Sequence, residues 1–523
     1  MTLPLPGFRT VSRGGARLFG LALVVVSAIS LHGAARADDA MAQRVAEIAP
    51  ALEAYIEKGM SAFDLPGLAI GIVTDDRLVY GRGFGRRGEG GEPVTTGTVF
   101  QIGSNTKAFL AAAMAIGVDR DRLAWDDRVV DLDPGFRLMD HWVTGEFRMF
   151  DILAQRSGLP PLANDMYGML GADVGEKIAS LRHVEPATSF RAAFTYTNIT
   201  HLIAARILAK AFGRSDWSEV LESEILRPLG MTDTSWTMEG IEAAPDHAQG
   251  YLWSPEGSVE VPFNRLMPYD YAGAGEINST IDDLQRWVRV QLADGTFEGR
   301  RLVSSDALAV TLAPRVPIRK GASYAMGWII ESTPNAEITW HNGGTVAFGS
   351  YIGLARGEDV GVIVLTNQAH AGLPDAIGRW TLDRLLGNPE IDYAAIDLEA
   401  AKTAAAAMAK AFERPAGALP SIPLSSFAGD WSNPVFGTSN ATVDGDALNL
   451  ALPTGATLRL EPWNGDTFTV GLVPEGEMAV IAASFGPLPL GFAQFRIDGS
   501  GTYRKLAIDF TMESQEYVFT RDE

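Results

Sequence analysis

The chain has 523 residues, 46% hydrophobic and 20% charged, with a mean hydropathy of +0.05, a composition that accommodates two folded units and excludes wholesale disorder. Its formal charge of −21 and isoelectric point of about 4.8 create a field that repels phosphate backbones and anionic lipid, so no nucleic acid partner is expected. There is no cysteine, which removes thiol nucleophiles, disulfides and lipidation at cysteine, and leaves packing as the source of stability.

Residues 1–37 carry Arg9, Arg13 and Arg17, an apolar run from Leu18 to Leu31, and Ala35-Arg36-Ala37 before Asp38, the pattern of a secretory signal peptide. The apolar run is shorter than the ~20 residues of a membrane-spanning helix. Cleavage would remove four arginines and no acids, taking the formal charge from −21 to −25. The expected location is periplasmic or secreted, with no membrane association after cleavage.

Met41 to Gly59 reads as an amphipathic helix, with Val45, Ile48, Leu52 and Ile56 at helical spacing and Pro50 a candidate kink. Leu68–Val73 and Leu78–Gly83 are apolar runs separated by a polar tetrapeptide and predict a β-hairpin. Gly83 to Gly88 spells G-x-G-x-x-G, but Glu-Gly-Gly-Glu-Pro follows instead of a helix, so no dinucleotide site is expected. Helices are predicted over Thr106–Ile116, Asn198–Phe212 and Ile281–Leu292, the last with Ser279 or Thr280 as its N-cap. Strands follow at Glu337–Trp340, Gly349–Ala355 and Val360–Thr366. Ala394–Phe412 is an Ala-rich helix, and three prolines in Pro415–Pro423 mark a linker. Beyond it, short runs at 447–452, 457–463, 467–472, 478–483, 492–497, 503–510 and 517–520 predict a small all-β barrel or sandwich.

Three segments carry candidate chemistry. In Ser104-Asn105-Thr106-Lys107 the lysine lies one helical turn from the serine, within reach of its hydroxyl. An amine can take the serine proton only if burial lowers its pKa, and moving it from ~10.4 to ~7 corresponds to roughly 4 to 5 kcal/mol. The apolar residues Ala108 to Ala111 behind Lys107 would supply that desolvation. Alone the pattern is a weak signal, and a capped core helix is its simpler reading. Tyr196-Thr197-Asn198 can present a phenol and a carboxamide on one side of a loop, although a structural tyrosine explains the phenol as well. Trp340-His341-Asn342-Gly343-Gly344-Thr345 is a glycine-bearing strand, read either as a close backbone approach to a ligand or as a bulge. His141, His183, His201, His247 and His370 show no metal-ligand spacing, and neither metal nor cofactor is called for.

Taken in order, the three segments resemble the Ser-x-x-Lys, Tyr-x-Asn and Lys-Thr-Gly elements of the serine β-lactamase and penicillin-binding protein superfamily. The likeness extends over residues 45–385 through Phe100-Gln-Ile-Gly-Ser104, Arg156-Ser-Gly-Leu-Pro160, Pro228-Leu-Gly-Met-Thr-Asp-Thr234, Ile277-Asn-Ser-Thr280 and Tyr324-Ala-Met-Gly-Trp328. It is similar to the class C branch, which includes D-aminopeptidases, family VIII esterases and serine peptidases, some of them with a lipocalin-like C-terminal domain. The resemblance implies an α/β (α+β) β-lactamase/transpeptidase-like fold, an antiparallel sheet flanked by helices, followed by a small all-β barrel. With the signal-peptide and linker patterns, the chain divides into a signal peptide (1–37), a hydrolase domain (38–390), a linker helix and Pro-rich segment (391–423) and a lipocalin-like barrel (424–523).

By that resemblance Ser104 is the nucleophile and Lys107 with Tyr196 its proton relay. Asn198, His341, Gly343 and Gly344 bind substrate, and the N–H groups of Ser104 and Gly344 form an oxyanion hole. His341 replaces the family's lysine and removes a fixed cation for a substrate carboxylate, which favours peptide or ester substrates over a dedicated antibiotic-degrading role. A second departure is Gly273-Ala274-Gly275-Glu276, where relatives often have Pro-Ala-Gly-Gly. The expected activity is hydrolysis of peptide amides, with D-residues among the candidates. The alternatives are a carboxylesterase, a weak β-lactamase or penicillin-binding protein, and a sensing module that acylates without turnover.

Overall fold

The computed structural model describes residues 20–74, 76–369 and 371–521, with side chains from residue 40 onward. The signal-peptide expectation concerns residues 1–37, whose side chains lie outside the described residues, as does His370. Among the described residues no helix is long and apolar enough to cross a membrane.

The first helix, α1 (Gly20–Phe63), passes through Pro50 without a break. Pro50 removes one hydrogen bond to the carbonyl of Ala46, and both residues are exposed, so the freed oxygen faces solvent instead of a dry interior and the helix continues past it. Val45, Leu52, Ile56 and Phe63 of α1 pack on an antiparallel sheet of eight strands. These are β1 (Gly67–Thr74), β2 (Leu78–Gly85), β3 (Val316–Arg319), β4 (Ala322–Tyr324), β5 (Ile329–Ser332), β6 (Glu337–Gly344), β7 (Gly349–Ala355) and β8 (Val360–Thr366), in the order β2-β1-β8-β7-β6-β5-β4-β3.

Helices cover both faces of the sheet, so β1, β7 and β8 are buried along their whole length while their side chains still alternate between two cores. Leu68, Ile70 and Ile72 join α1, whereas Ala69 and Val73 join the opposite core. That second core is built on α2 (Thr106–Asp119), α4 (Ile199–Ala211) and α5 (Ile281–Leu292), and a short helix, α3 (Asp165–Met169), lies between α2 and α4 in the chain. Phe109 of α2 stacks on Trp287 of α5 with ring centroids 4.1 Å apart. The expected cap of α5 is present, the Thr280 hydroxyl accepting the Asp283 N–H at 3.0 Å. Helices α6 (Leu373–Leu386) and α7 (Tyr393–Ala411) return the chain across the α1 face.

The C-terminal strands close into an eight-stranded barrel: β9 (Gly429–Asn433), β10 (Gly437–Asp444), β11 (Ala447–Ala451), β12 (Thr457–Asn464), β13 (Thr467–Leu472), β14 (Gly491–Ile497), β15 (Tyr503–Phe510) and β16 (Glu516–Thr520). Phe427, Trp431, Phe468, Phe495 and Phe519 fill its interior. The strand expected over Met478–Ala483 is instead a helix, α8 (Met478–Phe485). Its buried residues Met478, Ile481 and Ser484 recur every third position, a helical period, and its three alanines favour helix. The barrel's core is continued by residues of the preceding, sheet-containing half of the chain. Met166, Tyr167, Met169 and Leu170 belong to the barrel's core cluster, and Tyr167 meets Phe436 edge-on with centroids 4.9 Å apart.

Candidate active site

Ser104 lies in a single 3-10 turn, Gly103–Asn105, which feeds directly into α2. Gly103 adopts φ +51°, and a Cβ there would stand 2.8 Å from the amide nitrogen of Gly344 on β6. At Gly343 a Cβ would collide with the Ile102 carbonyl and the Ser350 hydroxyl. The close approach read into these glycines is therefore made by the serine-bearing turn itself, which packs against the end of β6.

Lys107, in the first turn of α2, is completely buried. Its Nζ lies 3.1 Å from Ser104 Oγ, 2.7 Å from Asn198 Oδ1 and 2.8 Å from the Ala274 carbonyl. Burial lowers its pKa to about 7, against the upward pull of Asp165 and Glu276. The two amide oxygens can only accept, so a neutral amine gives them its two N–H groups and directs its lone pair at the Ser104 hydroxyl.

The ring of Tyr196 lies beside the amine, with centroid 4.9 Å from Lys107 Nζ. Burial holds the phenol well above its ordinary pKa, the neighbouring Ser104 hydroxyl opposing that rise. Asn198 precedes α4, yet its side chain does not cap the helix. It bridges instead, accepting from Lys107 through Oδ1 and donating from Nδ2 to Asp165 Oδ2 at 2.7 Å.

His341 is buried, and its ring is engaged at both nitrogens. Nδ1 faces the Asn342 carbonyl at 2.5 Å and therefore carries the proton, while Nε2 accepts from the Tyr324 hydroxyl at 3.1 Å. Burial and the Lys107 amine push its pKa down to about 3, so the imidazole is neutral far below the range its ordinary pKa would give. Ser104, Tyr196, Asn198 and Gly344 line a common cavity of about 310 Å³; Lys107, His341 and Gly343 stand behind its wall.

Asp165 and Glu276 were not singled out as site residues from sequence. Asp165 is the first residue of α3, and burial raises its pKa while the Asn198 bond opposes it. Glu276 ties down the loop that presents the Ala274 carbonyl. Its Oε1 accepts from Trp217 Nε1 at 2.6 Å and Gly273 N at 2.8 Å, and Oε2 accepts from Gly275 N at 3.2 Å. Burial raises this carboxyl to about 7. Its only trace in the sequence is the departure at Gly273–Glu276. Among the described residues no group of His, Asp and Glu is placed to hold a metal ion.

A family model described as beta-lactamase matches residues 52–387. The chain belongs to the β-lactamase family. As a β-lactamase-like serine hydrolase it also carries, over residues 413–521, a match to a domain of unknown function, DUF3471. Among curated relatives, the unguisins hydrolase ungD' of Aspergillus campestris is 27% identical over 60% of this chain and 61% of its own length. The unguisins hydrolase ungD of Aspergillus violaceofuscus is 25% identical over 84% of this chain and 86% of its own. Protein flp of Staphylococcus aureus is 25% identical over 60% and 62%. The chain thus spans less than two thirds of two of these three relatives. The octameric penicillin-binding protein homologue of Pyrococcus abyssi superposes with a TM-score of 0.58 at 24% identity, covering 90% of this chain and all of that one. A class C β-lactamase of Rhodobacter sphaeroides gives 0.53 at 23%, covering 67% and 98%. These two show a shared β-lactamase fold.

Proposed function

We propose that this β-lactamase-family chain is an exported hydrolase that cleaves peptide-like amides, D-residue peptides among them, through an acyl-enzyme on Ser104. The observation that carries the reading is the environment of Lys107. The amine is fully buried, its pKa lies near 7, and two acceptor-only oxygens leave its lone pair for the Ser104 hydroxyl 3.1 Å away.

In the proposed sequence Ser104 Oγ attacks the scissile carbonyl as its proton passes to Lys107. The oxyanion is met by the N–H groups of Ser104 and Gly344, which matter because the charge exists only in the tetrahedral state. Tyr196 lies beside both Oγ and Nζ and returns the proton to the leaving amine. Water then repeats the attack on the acyl-enzyme with Lys107 again as base. The neutral, doubly bonded His341 offers no cation to a substrate carboxylate, which supports uncharged peptide or ester groups over penicillin-type acids. Export is supported by the pattern of residues 1–37, and two relatives bear the name hydrolase.

The test is mass spectrometry after a fluorophosphonate, with an adduct on Ser104 that Ser104→Ala abolishes; an adduct that persists elsewhere rejects the assignment. Comparing p-nitrophenyl acetate with N-acetyl-D-alanyl-p-nitroanilide, whose acyl group is uncharged, on one preparation separates the substrate classes, and turnover of the ester alone replaces the amidase reading with an esterase.

A further inference from the structure

We propose that the cavity beside Ser104 selects an uncharged, apolar acyl group, and that helix α8 of the barrel sets how long that group can be. The inference rests on the acyl-enzyme reading above and specifies its substrate class.

Six side chains make most of the cavity's apolar wall. Met169, Met267 and Val346 come from the catalytic half, Ile481 and Phe485 from α8, and Met512 from the turn before β16. The barrel is held there by more than van der Waals contact. Glu513, next to Met512, accepts the Met166 N–H at 2.5 Å, and Arg265 faces Glu477 at 3.6 Å just before α8.

No lysine or arginine lines the cavity. The nearby Lys107 amine is consumed by its internal bonds, and Lys177 donates to the Asp270 carbonyl while resting over the Tyr271 ring. A substrate carboxylate would lose its water and find no partner, a large desolvation cost. Asp165 is the one acid on the wall, and its Oδ2 is already bonded by Asn198. The leaving group has to depart while the acyl group stays bonded to Ser104, so a recess walled off by the barrel suits the acyl side. At about 30 Å³ per water-sized group, 310 Å³ holds on the order of ten heavy atoms.

The experiment uses the full chain and p-nitrophenyl esters from acetate to decanoate, a carboxylate-terminated glutarate and a trimethylammonium-terminated ester of matched length. Each buried methylene is worth up to about fourfold in binding. kcat/KM is expected to rise at least tenfold from acetate to hexanoate, to fall again at decanoate, and to drop at least tenfold for either charged ester. Phe485→Ala is expected to move the optimum to longer chains and Phe485→Trp to shorter ones. Met512→Ala, at a more exposed position, should move it the same way as Phe485→Ala, and melting curves verify that each variant is folded. A flat chain-length profile, a charged ester turned over as fast as its neutral analogue, or folded variants whose optimum does not move would each overturn the inference and leave the Ser104 reading standing. Absence of both a Ser104 adduct and Ser104-dependent hydrolysis of every ester would overturn both.

Discussion

Replacing Lys107 by methionine separates the base from its surroundings. The amine falls from 10.5 to about 7 on burial. At pH 7 about half of it is neutral, against roughly one part in 3,000 for an unperturbed lysine, and carrying this group costs about 4 kcal/mol of folding stability. The sign follows from proton uptake. Between pH 7 and 10.5 the unfolded chain binds more protons than the folded one, so stability rises across that window and the cost is full below pH 7. Methionine removes the cost but strands Asn198 Oδ1 and the Ala274 carbonyl, each worth ~1–3 kcal/mol when left unpaired. The two effects nearly cancel, so Lys107→Met should fall within ~2 kcal/mol of the parent at pH 7 and become clearly the less stable of the two near pH 10. Its kcat/KM on p-nitrophenyl acetate should drop by about 10²–10⁴, while the parent's profile rises through about 7. Thermal melts at the two pH values and a pH-rate profile measure this. A stability difference that does not change between pH 7 and 10, or a rise in rate only near 10, would refute the buried neutral amine.

Gly343→Ala should push β6 away from the serine turn, because the new methyl meets the Ile102 carbonyl; kcat is expected to fall ~10²–10³-fold with the circular dichroism spectrum unchanged. Asp151 is fully buried between Arg156 and Arg191, at 2.7 Å from each, so Asp151→Asn should lower stability by about 3–5 kcal/mol in a denaturant titration. Burial raises the Glu513 carboxyl to about 8, so its stabilising contribution is whole below its unfolded value and is lost as pH rises through 8; Glu513→Gln should raise the melting temperature above pH 8 and leave it unchanged near pH 4.

Much of the catalytic half was legible because its segments obey strong local rules. The fully buried, largely apolar strands β7 and β8 and the capped helix α5 announce themselves by composition and N-cap chemistry. Ser104 and Lys107 share one turn, and their proximity is a property of helical spacing alone. Tyr196 and Asn198 are separated from them by ~90 residues, and only the resemblance to a known family joined the two segments before the fold did. Strand β10 escaped notice because its inward residues are Ser439 and Ala441, too small and polar for a period-two apolar signal. Helix α8 reads as a strand in the sequence because seven of its eight residues are apolar and, in a β-rich context, their composition carries little periodicity. Asp165 and Glu276 had no local signature, since a carboxylate's burial depends on what the distant chain packs over it.

Helix α3 has one side in the barrel's core and, at its first residue, a carboxylate bonded to Asn198. Any graft that exchanges one barrel for another would therefore redraw the far edge of the reaction chamber, and a directed library aimed at new selectivity has its most economical target some 375 residues downstream of the nucleophile. Partial proteolysis within Pro415–Pro423 would leave two fragments that still share this seam, so a nicked preparation that remains active is the natural behaviour of such a chain.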